Sequence, residues 1–199
     1  IRITPNTDCM TLEKSNFTHQ CLIAMPAMAD PRFSATVTYI VKHDDEGAVG
    51  LVINRPLELS LRKLLTEVGS QPVMSSLQQP EQPVLYGGPV NTQMGFVLHQ
   101  ERGQWANTVE VEKGICVTSS RDILEAIAKG LGPEEYVVAL GYAGWSAGQL
   151  EQEMSANAWL TCEADTNLLF KTPFEQRWQA SLRKLGVDPI FLMHEAGHA

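Results

Sequence analysis

The segment over residues 136–153 constrains the fold of this chain more than any other. Residues 136–142 (YVVALGY) form a nearly continuous apolar run, which is typical of a strand covered on both faces of its sheet. The run leads through a glycine-rich turn into a helical pattern that continues to Glu153. We therefore expect a strand, a tight turn and a helix in direct succession.

The other predicted strands are short and are separated by turn signals. Residues 36–43 and 48–54 are rich in β-branched and apolar residues and flank the turn sequence Asp-Asp-Glu-Gly, which predicts a hairpin. Further strands are predicted at residues 84–86, 95–99, 108–111 and 115–118. Strands and helices are mixed without strict alternation, so the sequence favours an α+β fold with a mixed, curled sheet over a doubly wound parallel one.

Capping residues indicate where the helices begin. Two capping boxes, Ser146 with Gln149 and Thr172 with Glu175, predict the start of the helix after the apolar strand and the start of the last long helix. Two shorter amphipathic helices are expected between Ser60 and Gly69 and over residues 122–129.

The size and charge of the chain limit its organisation and its partners. The chain has 199 residues, of which 44% are hydrophobic, and this suits one compact domain. Residues 1–15 are polar and aperiodic, so we expect a flexible N-terminal extension followed by a single domain over residues 16–199. The formal net charge of −8 repels phosphate backbones, and no basic patch stands out. Direct DNA binding is therefore not expected.

Cysteine usage and hydropathy favour a cytoplasmic protein. Cys9, Cys21, Cys116 and Cys162 are far apart, without the spacing of a metal site, and a chain of this size forms a core without disulfides. No apolar run approaches the roughly 20 residues that span a bilayer. We expect reduced thiols, a cytoplasmic location, no membrane contact and no bound cofactor.

Gly144, Ser146 and Gly148 form the pattern G-x-S-x-G, which holds the nucleophile of many serine hydrolases on a strained turn. His194 or His198 would supply the general base. In the competing interpretation Ser146 is the N-cap of the following helix, and both histidines lie in the last six residues, where chains commonly fray. A serine hydrolase with Ser146 and His198 is thus the alternative function rather than the leading one.

The tail also matches H-E-x-x-H, with His194, Glu195 and His198, which on a helix places two imidazoles on one face for zinc. Gly197 and the nearby chain end disfavour a helix there, and no third ligand follows. We therefore expect no metal site.

A glycine pair, Gly87 and Gly88, precedes Pro89 and follows a predicted strand. Backbone N–H groups in such a turn could hold an anion, but the Lys-Ser/Thr of a P-loop is missing. We predict a connecting turn that needs positive φ.

Short motifs are spread along the whole chain. They are LIAMP at residues 22–26, DP at 30–31, GLVINRP at 50–56, YGGPV at 86–90, GFVLH at 95–99, LGYAGW at 140–145, GQLE at 148–151, NAWL at 157–160 and AGH at 196–198. In this order they closely resemble the bacterial YqgE/AlgH family, and the resemblance covers residues 17–199.

The resemblance implies a cytosolic, single-domain protein whose mostly antiparallel sheet curls into a partial barrel with helices packed around it. Some members carry the label of transcriptional regulator, from an association with alginate production in pseudomonads, and the resemblance implies no reaction. In the family pattern the position of Ser146 is also filled by glycine or glutamate, and that of His194 is commonly not histidine. Neither the hydrolase motif nor the zinc motif is therefore carried over.

The leading hypothesis is a non-enzymatic regulatory or interaction protein with an unidentified protein or small-molecule partner. The motif residues expected to shape its pocket or partner surface are Asp30, Asn54, Gly87, Gly88, Gly144, Trp145 and Asn157. Several of them also suit purely structural positions: Asp30 before a proline favours a turn, and Asn54 favours the end of a strand. Because the chain is acidic, we expect it to act through a partner rather than by gripping DNA.

Overall fold

The part of the chain that the structure describes contains one sheet of ten strands, four α-helices, a π-helical turn at Asn167–Lys171 and a 3-10 turn at Phe174–Gln176. The computed structural model describes residues 16–70, 72, 80–100, 103–112 and 114–188. The strands are β1 (Gln20–Ala24), β2 (Val37–Asp44), β3 (Gly47–Val52), β4 (Pro56–Ser60), β5 (Pro83–Tyr86), β6 (Val90–Gln100), β7 (Thr108–Glu112), β8 (Ile115–Thr118), β9 (Tyr136–Ser146) and β10 (Trp159–Glu163). The helices are α1 (Leu61–Glu67), α2 (Arg121–Ala128), α3 (Gln149–Ser155) and α4 (Arg177–Lys184).

The sheet is mixed but mostly antiparallel. Its strands follow the order β10-β1-β2-β3-β9-β6-β8-β7, and each neighbouring pair on this path is antiparallel. Only β5 adds a parallel pairing, to β9, and it also pairs with β4. The sheet curls into a half-barrel within a single domain, which confirms the α+β prediction.

Both faces of the central strands are buried, as the apolar run of β9 predicts. Along β1, Cys21 and Ile23 contribute to one core cluster, which includes residues of α4, and Leu22 and Ala24 contribute to another, which includes α3. This alternation follows from the two-residue period of a strand. Burying one such aliphatic side chain stabilises the fold by about 1.5–3 kcal/mol.

Strand β9 is longer than the sequence predicts, and this changes how α3 begins. Its pairing with β3 continues as far as Ser146 opposite Gly47, so Ser146 is a strand residue. The N-cap of α3 is Gly148, with a left-handed φ of 75°. The prediction that Ser146 caps this helix is therefore wrong, although the side chain of Gln149 does reach back to the backbone N–H of Ser146 at 3.0 Å.

The last helix begins later than predicted. A 3-10 turn at Phe174–Gln176 precedes α4, and the hydroxyl of Thr172 donates to the carbonyl of Asn167 instead of capping a helix. Helix α4 ends at Lys184, and Gly186 follows it with a φ of 70°. The helix expected between Ser60 and Gly69 is confirmed as α1, with the Ser60 side chain as its N-cap.

The described cysteines Cys21, Cys116 and Cys162 are all buried, and they are not joined by disulfides. Among the described residues, no helix has both the length and the apolar character needed to cross a membrane.

Candidate functional site

A cleft of about 600 Å³ lies over the sheet face that α3 covers. Four separate stretches of chain form its walls: the loop after β1, the start of β6 with the preceding Pro89, the end of β9 with α3, and the connection from α3 into β10. The lining residues are Ala27, Met28, Ala29, Asp30, Arg32, Phe33, Pro89, Val90, Gly144, Trp145, Gln149, Glu153, Ala156, Asn157, Ala158 and Trp159. We call this site the tryptophan cleft.

An aromatic cluster forms part of the cleft wall. The ring centroids of Trp145 and Trp159 lie 6.1 Å apart at an interplanar angle of 74°, and Phe33 lies 6.4 Å from the first and 5.7 Å from the second. The two indoles are only 6% and 3% exposed. They reach the same place because Trp145 is near the end of β9 and Trp159 is the first residue of β10.

The carboxylate of Glu153 joins the two indoles. Its Oε2 accepts N–H bonds from Trp145 at 2.9 Å and from Trp159 at 2.8 Å, and its Oε1 accepts one from Gln149 at 2.9 Å. No ion-pair partner of Glu153 occurs in the described part of the chain. Three neutral donors thus fix the position of this carboxylate without neutralising its charge.

Helix α3 holds Glu153 in place because it is itself tied to the sheet. Leu150 is buried in the core beneath it. On the neighbouring turn, Nε2 of His43 lies 3.2 Å from Oε1 of Glu151, while Nδ1 of His43 accepts the backbone N–H of Phe17 at 3.1 Å. Since Nδ1 is an acceptor, the proton of the neutral ring is on Nε2, which donates to Glu151.

Asp30 shapes the opposite wall through a local turn. Its Oδ1 accepts the backbone N–H of Arg32 at 2.9 Å, and its main-chain carbonyl accepts that of Phe33 at 3.0 Å. The guanidinium of Arg32 approaches the same carboxylate at 2.6 Å. Hydrogen bonds from this guanidinium lower the pKa of the Asp30 carboxyl. The prediction of a turn at Asp30 agrees with this geometry.

Asn54 does not line the cleft but anchors this wall. Its Oδ1 accepts the backbone N–H of Val37 at 2.8 Å, and its amide donates to the carbonyl of Ala35 at 2.9 Å. The neighbouring Arg55 donates to the carbonyl of Ser34 at 2.7 Å. These bonds fix the end of the loop that carries Asp30, even though Ala35 has a left-handed φ of 52°.

Gly87 and Gly88 allow two backbones to approach closely beside the cleft. A Cβ on Gly87 would lie 2.2 Å from the carbonyl oxygen of Gly141, and one on Gly88 would lie 2.1 Å from the carbonyl carbon of Tyr142. Gly88 also has a φ of 151°. The pair positions the following residues, Pro89 among them, at the cleft. The positive φ of Gly88 agrees with the predicted turn.

Gly144 and Asn157 present exposed surface to the cleft. A Cβ on Gly144 would meet only the ring of Tyr142, at 3.5 Å, and a methyl of Val90, at 3.9 Å, which are ordinary contact distances. Asn157 ends the turn after α3 with a left-handed φ of 55°. Its side chain makes no hydrogen bond to the described residues, so its amide is available to a bound group.

Ser146 is exposed and has a local partner. Its Oγ lies 3.2 Å from Oε1 of Gln149, and its φ is not positive. Among the described histidines His19, His43 and His99, none has a hydrogen bond to Ser146. The proposed base, His194 or His198, lies outside the described residues, as does Glu195.

The structure brings together four of the seven predicted residues, Asp30, Gly144, Trp145 and Asn157, in one cleft. Sequence reasoning missed Glu153, the residue that connects the two indoles. The spacing of Trp145, Glu153 and Trp159 follows no single period, because a strand, a helix and a second strand supply them. No sequence pattern indicates that three such side chains converge.

Comparison with known proteins agrees with the fold. The solution structure of the AlgH protein from Pseudomonas aeruginosa matches over 100% of both chains, with a TM-score of 0.75 and 44% identity. A crystal structure of a Corynebacterium diphtheriae protein matches with a TM-score of 0.65 over 89% of this chain and 90% of that one; at 18% identity it supports the fold alone.

Sequence comparison finds relatives of nearly the same length. A UPF0301 protein of Thioalkalivibrio sulfidiphilus is 52% identical over 185 residues, which are 93% of this chain and 98% of that protein. A UPF0301 protein of Ralstonia nicotianae is 50% identical over 92% of this chain and 96% of its own length. The family model described as AlgH-like matches residues 21–190. This chain therefore belongs to the AlgH-like family.

Proposed function

We propose that this protein is a non-enzymatic regulatory or interaction protein that holds a chemical group of its partner in the tryptophan cleft. One observation carries the proposal: Asp30, Gly144, Trp145 and Asn157, which come from distant parts of the chain, line a single cleft of about 600 Å³. This volume lies within the range of small-molecule sites, and such sites combine aromatic walls with a few fixed polar groups.

The polar groups of the cleft suit binding better than proton transfer. Glu153 already accepts three N–H bonds, and the side chain of Gln149 donates to it while accepting from Ser146. Side chains locked in this way form a rigid site that loses little entropy when a ligand binds. A nucleophile would instead need a base within hydrogen-bond reach.

The charge of the molecule supports a partner other than DNA. The chain carries a formal net charge of −8, which opposes association with a phosphate backbone. We therefore propose that any regulatory effect passes through a protein or small-molecule partner. We also propose a cytoplasmic location, because the four cysteines are far apart in the sequence and lack the spacing of a disulfide framework.

The four tryptophans of the chain make the proposal testable. Trp145 and Trp159 line the cleft, whereas Trp105 and Trp178 do not, so the indole N–H signals in a ¹H–¹⁵N spectrum contain both the probe and its reference. We would titrate the protein with a panel of small cationic, neutral and anionic aromatic compounds. At least one class should shift the signals of Trp145 and Trp159 saturably and leave the other two in place.

A blocking variant completes this test. Gly144→Val would place a side chain beside Val90 and fill part of the cleft, and we expect it to abolish the shifts. Gly95→Val is the matched control, because a Cβ there meets only Leu140, at 3.9 Å, and neither residue lines the cleft. If no class of compound shifts either cleft indole in the folded protein, the proposal is wrong.

A further inference from the structure

We propose that the group held in the tryptophan cleft is an organic cation with at least one N–H donor, such as a primary ammonium or a guanidinium. This inference rests on the proposed binding function and specifies the chemistry of the ligand. It comes from the charges that line the cleft, from the unused acceptor capacity of Glu153 and from the aromatic surface around it.

The cleft contains one uncompensated negative charge. Its charged lining residues are Asp30, Arg32 and Glu153. Asp30 and Arg32 neutralise each other, because the guanidinium Nε lies 3.0 and 3.1 Å from the two carboxylate oxygens and NH2 lies 2.6 Å from Oδ2. Glu153 has no such partner in the described ranges. A cation in the cleft would supply the missing counter-charge.

Glu153 can accept one more hydrogen bond. A carboxylate has about four lone-pair sites. The two indoles occupy both sites of Oε2, and Gln149 occupies one of Oε1. The remaining site on Oε1 suits the N–H of a cationic ligand, since charge-assisted bonds are shorter and stronger than neutral ones. This requirement disfavours a quaternary ammonium, which has no N–H.

The surroundings of Glu153 are those that organic cations prefer. Phe33, Trp145 and Trp159 provide aromatic surface in the same cleft, and cations are attracted to the faces of aromatic rings. The exposed amide of Asn157 offers a further acceptor at the rim. An anion would not be attracted to the ring faces and would be repelled by Glu153.

The test compares benzylammonium, benzyl alcohol, benzoate and benzyltrimethylammonium by following the indole N–H signals of Trp145 and Trp159. These compounds share one ring and differ in charge or in the N–H donor. We expect benzylammonium to bind at least about tenfold more tightly than the other three, because it alone combines a positive charge with an N–H that can donate to Glu153. A tripeptide with a central lysine is titrated in parallel, and its affinity relative to benzylammonium distinguishes a partner's side chain from a free small molecule.

Variants test whether the Glu153 carboxylate causes the preference for benzylammonium. Glu153→Gln keeps an oxygen for both indoles but removes the charge, and we expect it to weaken benzylammonium at least about tenfold. Glu58→Gln makes the same change in net charge at an exposed residue of β4 and should have no effect. Phe33→Leu, which leaves Glu153 untouched, should also weaken binding, and it is the test to use if the Glu153 variant does not fold.

Two results would overturn the cation proposal and leave the cleft as a binding site. They are equal or tighter binding of benzyl alcohol or benzoate at the cleft indoles, and unchanged benzylammonium affinity in folded Glu153→Gln. If none of these probes shifts the cleft indoles while a neutral or anionic compound of the wider panel does, the cation proposal fails by itself. If no compound of the whole panel shifts the signals of the cleft indoles, the proposed binding function is wrong as well.

Discussion

At the scale of single residues, a polar side chain serves the fold or the site according to whether its hydrogen-bonding groups are already used. Both groups of the Asn54 amide are occupied, by the N–H of Val37 and the carbonyl of Ala35. The amide of Asn157 has no such bond within the described ranges and faces the cleft. The same residue type therefore anchors a wall in one place and is available to a ligand in the other.

We predict that Asn54→Ala destabilises the protein by about 1–3 kcal/mol, since it leaves a donor and an acceptor at the end of the cleft wall without partners. Urea unfolding measures this cost. Gln93→Ala is the control: Gln93 is exposed in β6, and its loss should change stability by less than about 0.5 kcal/mol. Equal stability of the two variants would show that the Asn54 bonds do not hold the loop.

At the scale of elements, the sequence predicts which strands and helices form better than where they end. Apolar periodicity correctly indicates the strand and helix on either side of Ser146, but the capping box places the helix start at this serine, whereas β9 continues to it. The error has a physical cause. Pairing with β3 extends β9, and this long-range interaction outweighs a local side-chain cap that is worth only about 1 kcal/mol.

Two glycines of the sheet region, Gly88 and Gly144, should differ strongly in the stability that they lose on substitution by alanine. Gly88→Ala places a Cβ 2.1 Å from the backbone of Tyr142 at a φ of 151°, so strands must separate, and we expect a loss of at least about 3 kcal/mol. Gly144→Ala meets only ordinary contacts and should stay within about 0.5 kcal/mol of the parent. Thermal unfolding measures the stability of both variants. Similar melting temperatures would contradict the close approach of Gly88 to the backbone of Tyr142.

At the scale of the whole molecule, the candidate site exists only after the sheet has formed. Motif resemblance indicates Asp30, Trp145 and Asn157 one by one, because each carries a recognisable residue in a recognisable segment. It does not indicate that they meet, because strand order rather than chain order sets their distances: β10 lies beside β1, although more than 130 residues separate them in the chain. The role of Glu153 cannot be predicted from the sequence for the same reason, since its two indole partners come from different strands.

The stability of the contact between α4 and the segment after β10 should depend on pH, because Asp165 forms part of it. This carboxylate accepts from the Lys184 ammonium of α4 at 2.6 Å and from the backbone N–H of Leu168 at 2.7 Å. Burial by itself would raise the pKa of Asp165, but these bonds outweigh it and lower the pKa below its usual 3.8. For a carboxyl with a lowered folded-state pKa, the stabilisation is complete above the unfolded value and is lost as the pH falls through the folded value.

We therefore predict that Asp165→Asn is less stable than the parent at pH 7 and equally stable once the pH is below the folded-state pKa, where Asp165 is neutral in both states. Because Asp165 is half exposed, the difference at pH 7 should be below about 1 kcal/mol. Urea unfolding at pH 7, 4 and 3 measures it, with Glu58→Gln as the variant of equal charge change. A difference that stays constant from pH 7 to pH 3 would mean that the contacts of Asp165 act through packing rather than through its charge.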